Sequence, residues 1–173
     1  MARPRFALAK QEADRLLAKA SIRKPSVDVD FLATEVCKVE LRAAPFDGDM
    51  DGALIREPRQ TAIVAVNTKL SAERRRFTIA HELGHFILHS DAYHVDTKIF
   101  MRNSLSSTAE SAIEVEANQF AAHLLVPDWM LSESIDELGS LDIEDLAERL
   151  APKYGVSLQA MTLRLGKLLK YAL

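Results

Sequence analysis

Residues 76–89 read Arg76-Phe77-Thr78-Ile79-Ala80-His81-Glu82-Leu83-Gly84-His85-Phe86-Ile87-Leu88-His89. Ser71 just ahead is a helix-capping residue type, and the spacing predicts a long helix over 72–89. On a helical wheel with Phe77 at zero, His81, His85, Thr78, His89 and Glu82 fall between about 40° and 140°. Leu88, Gly84, Ala80, Ile87, Leu83, Ile79 and Phe86 occupy the rest of the circle, so the helix is apolar over too wide an arc to lie on a surface. A buried stripe of imidazoles and a carboxylate is costly unless something pairs with it.

His81-Glu82-Leu83-Gly84-His85 is an H-E-x-x-H pattern. Two histidines four apart share one helix face, about one turn apart, so both rings reach one metal ion. The glutamate after the first histidine sits close enough to take a proton from water at that ion. A catalytic zinc usually takes three protein ligands. His89 is eight residues from His81, about 12 Å along the axis, and is excluded as the third. The longer pattern with Gly and His after the second histidine is also excluded, because Leu88 and Asp91 stand there. A carboxylate from a second helix remains.

That helix is predicted over 108–126 and is stopped by Pro127. With Ile113 at zero, Glu114 falls at about 100°, inside the stripe formed by Ala117, Phe120, Ala121, Leu124 and Leu125. Glu116 falls on the margin of that stripe, near His123. A carboxylate inside an apolar stripe needs a cation, so Glu114 is the favoured third ligand. Asn118, one turn on, can hydrogen-bond a ligand histidine. His89, Tyr93 and His94 are the candidates to steady a developing oxyanion, and His123 reads as structural.

Around this pair of helices the chain is globular in composition: 173 residues, 48% hydrophobic, 27% charged, net charge −3. That excludes a disordered chain and a generally basic nucleic-acid binder. The single cysteine, Cys37, excludes an internal disulfide framework. No apolar run has signal-peptide or membrane-spanning length, so a cytoplasmic protein with no membrane partner is expected. A helix is predicted over 8–21 and a second over 26–37 with Ser26 as its cap. Strands are predicted over 39–46, 53–56 and 61–67, a loop over 91–107, and two last helices over 143–154 and 157–170 with Gly155 between them. Residues 127–148 carry eight acidic residues and no Lys or Arg, a solvated face on ordinary grounds.

Two segments, Arg76 through His85 and Glu114-Val115-Glu116-Ala117-Asn118-Gln119-Phe120-Ala121-Ala122-His123-Leu124-Leu125-Val126-Pro127, resemble the ImmA/IrrE metallopeptidases. Ile63-Val64-Ala65-Val66-Asn67 is similar to that family's strand ahead of the site helix. Val156-Ser157, Ala160-Met161 and Arg164-Leu165 are similar to its last helix pair. The resemblance implies an α+β, zincin-like fold: a small three-stranded sheet against the active-site helix and a mainly helical C-terminal half. It implies one zinc per chain on His81, His85 and Glu114, with Glu82 as the catalytic carboxylate. It also implies a protein substrate, a helix-turn-helix repressor of the Xre type encoded nearby, whose cleavage releases stress, phage or mobile-element genes. The chain is expected to form a single domain over 1–173, with the pair at 141–173 as an appendage and no room for the sensor-like domain of larger members.

Two other functions fit parts of the sequence. One is a toxin–antitoxin or regulatory partner module with a structural or vestigial metal site, although Glu82 is in place. The other is DNA binding through the last two helices, whose spacing resembles a helix-turn-helix. The last helix offers only Arg164, Lys167 and Lys170 behind an acidic stretch, which argues against direct DNA binding.

Overall fold

The computed structural model describes residues 3–46, 50–56, 60–89 and 112–170. The expected loop at 91–107, with Tyr93 and His94, lies outside the described residues, as does the first turn of the expected helix at 108–111. Helix α1 spans Phe6–Lys19 and α2 spans Val29–Phe31, running on into a π turn at Leu32–Val36. Strands β1 (Glu40–Ala44), β2 (Gly52–Ile55) and β3 (Ile63–Asn67) follow, then α3 (Ala72–Leu88), α4 (Ala112–Leu125), α5 (Asp128–Leu138), α6 (Ile143–Tyr154) and α7 (Leu158–Lys170).

The sheet order is β1-β3-β2, with β1 parallel and β2 antiparallel to the middle strand. Register runs Glu40↔Ile63 to Ala44↔Asn67 on one side and Gly52↔Val66 to Ile55↔Ile63 on the other. Strand β3 is buried over Val64, Ala65 and Val66, and a continuous apolar run suits a strand covered on both faces. Helix α3 packs against β2 and β3 on one side and against α4 on the other. That position accounts for its apolar arc.

Several end signals act as read. Ser71 Oγ accepts from the Arg74 N–H at 3.3 Å and starts α3. Gly155 ends α6 in the left-handed region at φ 64°, where glycine carries no Cβ penalty. Two expectations change. The cap of α2 is Asp28, whose Oδ1 accepts from the Phe31 N–H at 3.0 Å, and Ser26 is not in that position. Helix α5 was not expected at all. Pro127, which stops α4, also stands as the N-cap of α5, and Met130, Leu131 and Ser134 are its buried face. Their helical spacing was hidden in a stretch whose charge read as plain surface.

The core runs continuously from α1 (Ala9, Ala13, Leu17) through β3 and α3 (Ile79, Leu83) to α6 and α7 (Leu150, Tyr154, Met161, Leu165). The last two helices share the core with the site helices.

Candidate metal centre

Gly84 sets the distance between the two site helices. A Cβ there would meet the Ala117 Cα at 3.0 Å, its carbonyl oxygen at 3.2 Å and the Phe120 ring at 3.2 Å. Only a glycine lets α3 and α4 come this close, and the approach carries α4 up to the two histidines one residue and three residues away. Gly52 does the same for the edge strand: a Cβ there would lie 2.5 Å from Thr78 Cγ2 and 3.5 Å from Glu82 Oε1.

His81 Nε2 and His85 Nε2 lie 3.0 Å apart. Glu114 Oε2 is 3.3 Å from the first and Glu114 Oε1 is 3.4 Å from the second. The imidazoles stand nearly perpendicular, with centroids 4.6 Å apart. A tetrahedral ion with bonds of about 2.0–2.1 Å needs donors about 3.3–3.4 Å apart. The observed edges match this with little adjustment, and two imidazole nitrogens with one carboxylate are a donor set that zinc accepts. Among the described residues, His81, His85 and Glu114 form the group of three that could hold a metal ion. His81, Glu82 and His85 are fully buried, whereas the Glu114 side chain is 22% exposed. The α3 side of the site is therefore buried, and solvent reaches only part of the Glu114 side chain.

Glu116 has a different set of neighbours. Its carboxylate accepts from the Arg5 backbone N–H at 2.7 Å, from Nε at 3.1 and 3.2 Å, and from Nη2 at 2.8 Å. These bonds hold its carboxyl below the ordinary range. His89 caps α3 and is buried, with Nε2 3.7 Å from Glu116 Oε2. Burial, with the nearby His85 second, lowers its pKa. Asn118 Oδ1 is buried and has no hydrogen-bond partner among the described residues. His123 is structural as expected: its Nε2 pairs with Asp14 Oδ1 at 3.0 Å, which also accepts from Trp129 Nε1 at 3.2 Å.

Two residues near the centre carried no sequence signal. Arg56, just after β2, donates from Nη2 to the His85 carbonyl at 2.8 Å and from Nη1 to the His89 carbonyl at 2.6 Å. Arg5 reaches Glu116 across 111 positions. No short spacing could reveal either contact.

A family model described as the IrrE N-terminal-like domain matches residues 34–166, which include both site helices. The chain belongs to this family of metallopeptidases. The IrrE-like chain is 31% identical over 160 residues to the Radiation response metalloprotease IrrE of Deinococcus radiodurans, covering 91% of the chain and 47% of that protein. It is 25% identical over 114 residues to the Metallopeptidase ImmA of Bacillus subtilis, covering 65% of the chain and 64% of that protein. It thus spans about half of the first relative and under two thirds of the second. A solved structure titled as a Mycobacterium tuberculosis transcriptional regulator matches 88% of the chain and 45% of its own, with a TM-score of 0.59 and 19% identity. That match supports the α+β fold alone. No described helix is long and apolar enough to cross a membrane.

Proposed function

We propose that this IrrE-like chain is a cytoplasmic, zinc-dependent endopeptidase that cuts a partner protein. The observation that carries the reading is the trio His81, His85 and Glu114 at ligand spacing, with the buried carboxylate of Glu82 next to one of them in sequence. His81, His85 and Glu114 would hold one zinc ion. When bound, the ion supplies Lewis acidity to a peptide carbonyl and to water. Glu82 takes the proton from the attacking water and delivers it to the leaving amine nitrogen. The full burial of His81, Glu82 and His85 keeps bulk water from that side of the reacting groups.

The substrate proposed is a helix-turn-helix repressor of the Xre type encoded nearby, cut to derepress stress, phage or mobile-element genes. This part rests on the family resemblance. Direct DNA binding by α6 and α7 has less support. Arg164 points inward, donating to the Val126 carbonyl at 2.6 Å and to Asp128 Oδ1 at 2.5 Å. It is not available to a phosphate.

The test is incubation of the protein with the neighbouring repressor, with and without a chelator, beside a Glu82→Gln variant. We expect one zinc per chain in both proteins and cleavage by the wild type only. The rate should fall by about 10²–10⁴-fold in the variant, the usual worth of a general base. Cleavage that survives both the chelator and Glu82→Gln would sink the peptidase reading.

A further inference from the structure

One of the three ligands sits at a vulnerable place. His85 is in the last turn of α3, and Glu114 stands on α4 two residues before Glu116. Helix ends fray, while a metal constellation has to be held to about 0.5 Å. Something outside α3 must hold its last turn still, and α4 must be held in place against it.

The structure supplies a hold on each. Arg56 grips the end of α3 from the edge strand, with its two terminal nitrogens on the His85 and His89 carbonyls. The His85 carbonyl also accepts the last backbone bond of α3, from the His89 N–H at 3.1 Å, so Arg56 reinforces the turn that this bond closes. Its guanidinium also lies over the Phe86 ring, 5.4 Å from the centroid. Arg5 grips α4 from the N-terminal segment through four contacts to Glu116, two residues past Glu114. His89 lies between the two grips: its carbonyl is held by Arg56, and its Nε2 is 3.7 Å from Glu116, beyond hydrogen-bond distance. Its ring is 5.6 Å from that of His85.

We propose that Arg56 and the Arg5–Glu116 pair form a brace of positioning residues that locks the last turn of α3 and the Glu114-bearing turn of α4. The proposal rests on the metal-site reading above. None of its members is a ligand, so the brace acts through the geometry of His85 and Glu114. Arg56 works as a two-pronged fork, which lysine cannot reproduce with a single ammonium.

Zinc affinity, measured by competition with a chromophoric chelator, tests the brace without any substrate. Arg56→Gln, Arg56→Lys and Glu116→Gln should each weaken binding by about 10–100-fold, the range for groups that orient ligands. The cobalt-loaded Arg56→Lys protein should show a shifted visible absorption band. Arg76→Gln is the control. Arg76 caps α6 in the same way, on the carbonyls of Gly155 at 3.0 Å and Tyr154 at 3.3 Å, and its loss should change zinc affinity by less than about twofold, since it holds no ligand turn. Arg5→Gln carries the same test at a half-exposed side chain if the Arg56 variants do not fold. Equal affinity of wild type and the Arg56 variants overturns the brace alone, as does an equal loss in Arg76→Gln. A wild-type chain that takes up no zinc overturns the metal reading and the brace with it.

Discussion

Glu114 and Glu116 stand two residues apart on one helix and meet different chemistry. Glu114 is presented to two buried imidazoles, and Glu116 is occupied by an arginine. Burial runs against the wheel, which set Glu114 in the stripe and Glu116 on its margin: Glu116 is the more buried, 4% exposed against 22%, because Arg5 supplies its cation, and the partners alone separate the two. Glu114→Ala should therefore abolish stoichiometric zinc in elemental analysis, whereas Glu116→Ala should keep one equivalent with reduced affinity. The reverse pattern would move the ligand assignment to Glu116. His123 gives a second residue-scale test. Burial pushes its pKa below the ordinary 6.5, against the carboxylates of Asp14 and Asp128, which raise it, and with Arg164, which lowers it further. An unfolded chain takes up that proton as pH falls through 6.5 and the folded chain does not. The stability tied to neutral His123 is thus present above 6.5 and is lost as pH falls below it. Urea unfolding of the metal-free protein should weaken between pH 7.5 and 5.5, and less so for His123→Gln. Parallel slopes for the two proteins would remove His123 from the account.

At the scale of elements, the close crossing of α3 and α4 is the critical contact, and Gly84 is its fulcrum. Gly84→Val should cost about 1–3 kcal/mol as overpacking and should weaken zinc binding as well, because each helix brings part of the ligand set. Unchanged zinc affinity with lowered stability would show that the crossing can relax without moving the donors. The helix ends share another device: Arg56 from the end of β2, Arg76 from α3 and Arg164 from α7 donate to carbonyls at the C-terminal ends of α3, α6 and α4. These contacts tie elements far apart in the chain, and they mark the boundary of what local patterns can reveal. Helices α3 and α4, the three strands and the Gly155 turn were legible because capping, period and glycine chemistry act within a few residues. The His81–Glu82–His85 pattern was legible for the same reason; the second wheel favoured Glu114 but missed the deeper burial of Glu116, whose cation, Arg5, comes from the far end of the chain. Helix α5 was lost because Pro127 read as an end and its acidic face outweighed the spacing of Met130, Leu131 and Ser134. Arg56 and Arg5 were illegible because their partners lie 29 to 111 positions away.

For the whole molecule, the question is whether the last helix pair stands apart from the metal centre. Met161 and Leu165 of α7 are fully buried and Leu150 of α6 nearly so, in the same core as Ile79 and Leu83 of α3. Arg76 of the site helix also holds the end of α6. A shared core with such a tie should unfold as one unit. Zinc binds only the folded centre in this scheme, so zinc at a hundred times its dissociation constant should add about 2.7 kcal/mol to the entire transition. For a chain of this size, that is a rise in Tm of roughly 5–10 °C. Met161→Ala, far along the chain from the ligands, should cost about 2–5 kcal/mol and lower the same transition in both the metal-free and zinc-loaded protein. Calorimetry separates the alternatives. If α6 and α7 were an independent appendage, two transitions would appear. Zinc would move one of them and Met161→Ala the other. One transition displaced by both changes makes the helix pair part of the body that holds the metal, and makes loss of α7 a loss of the site.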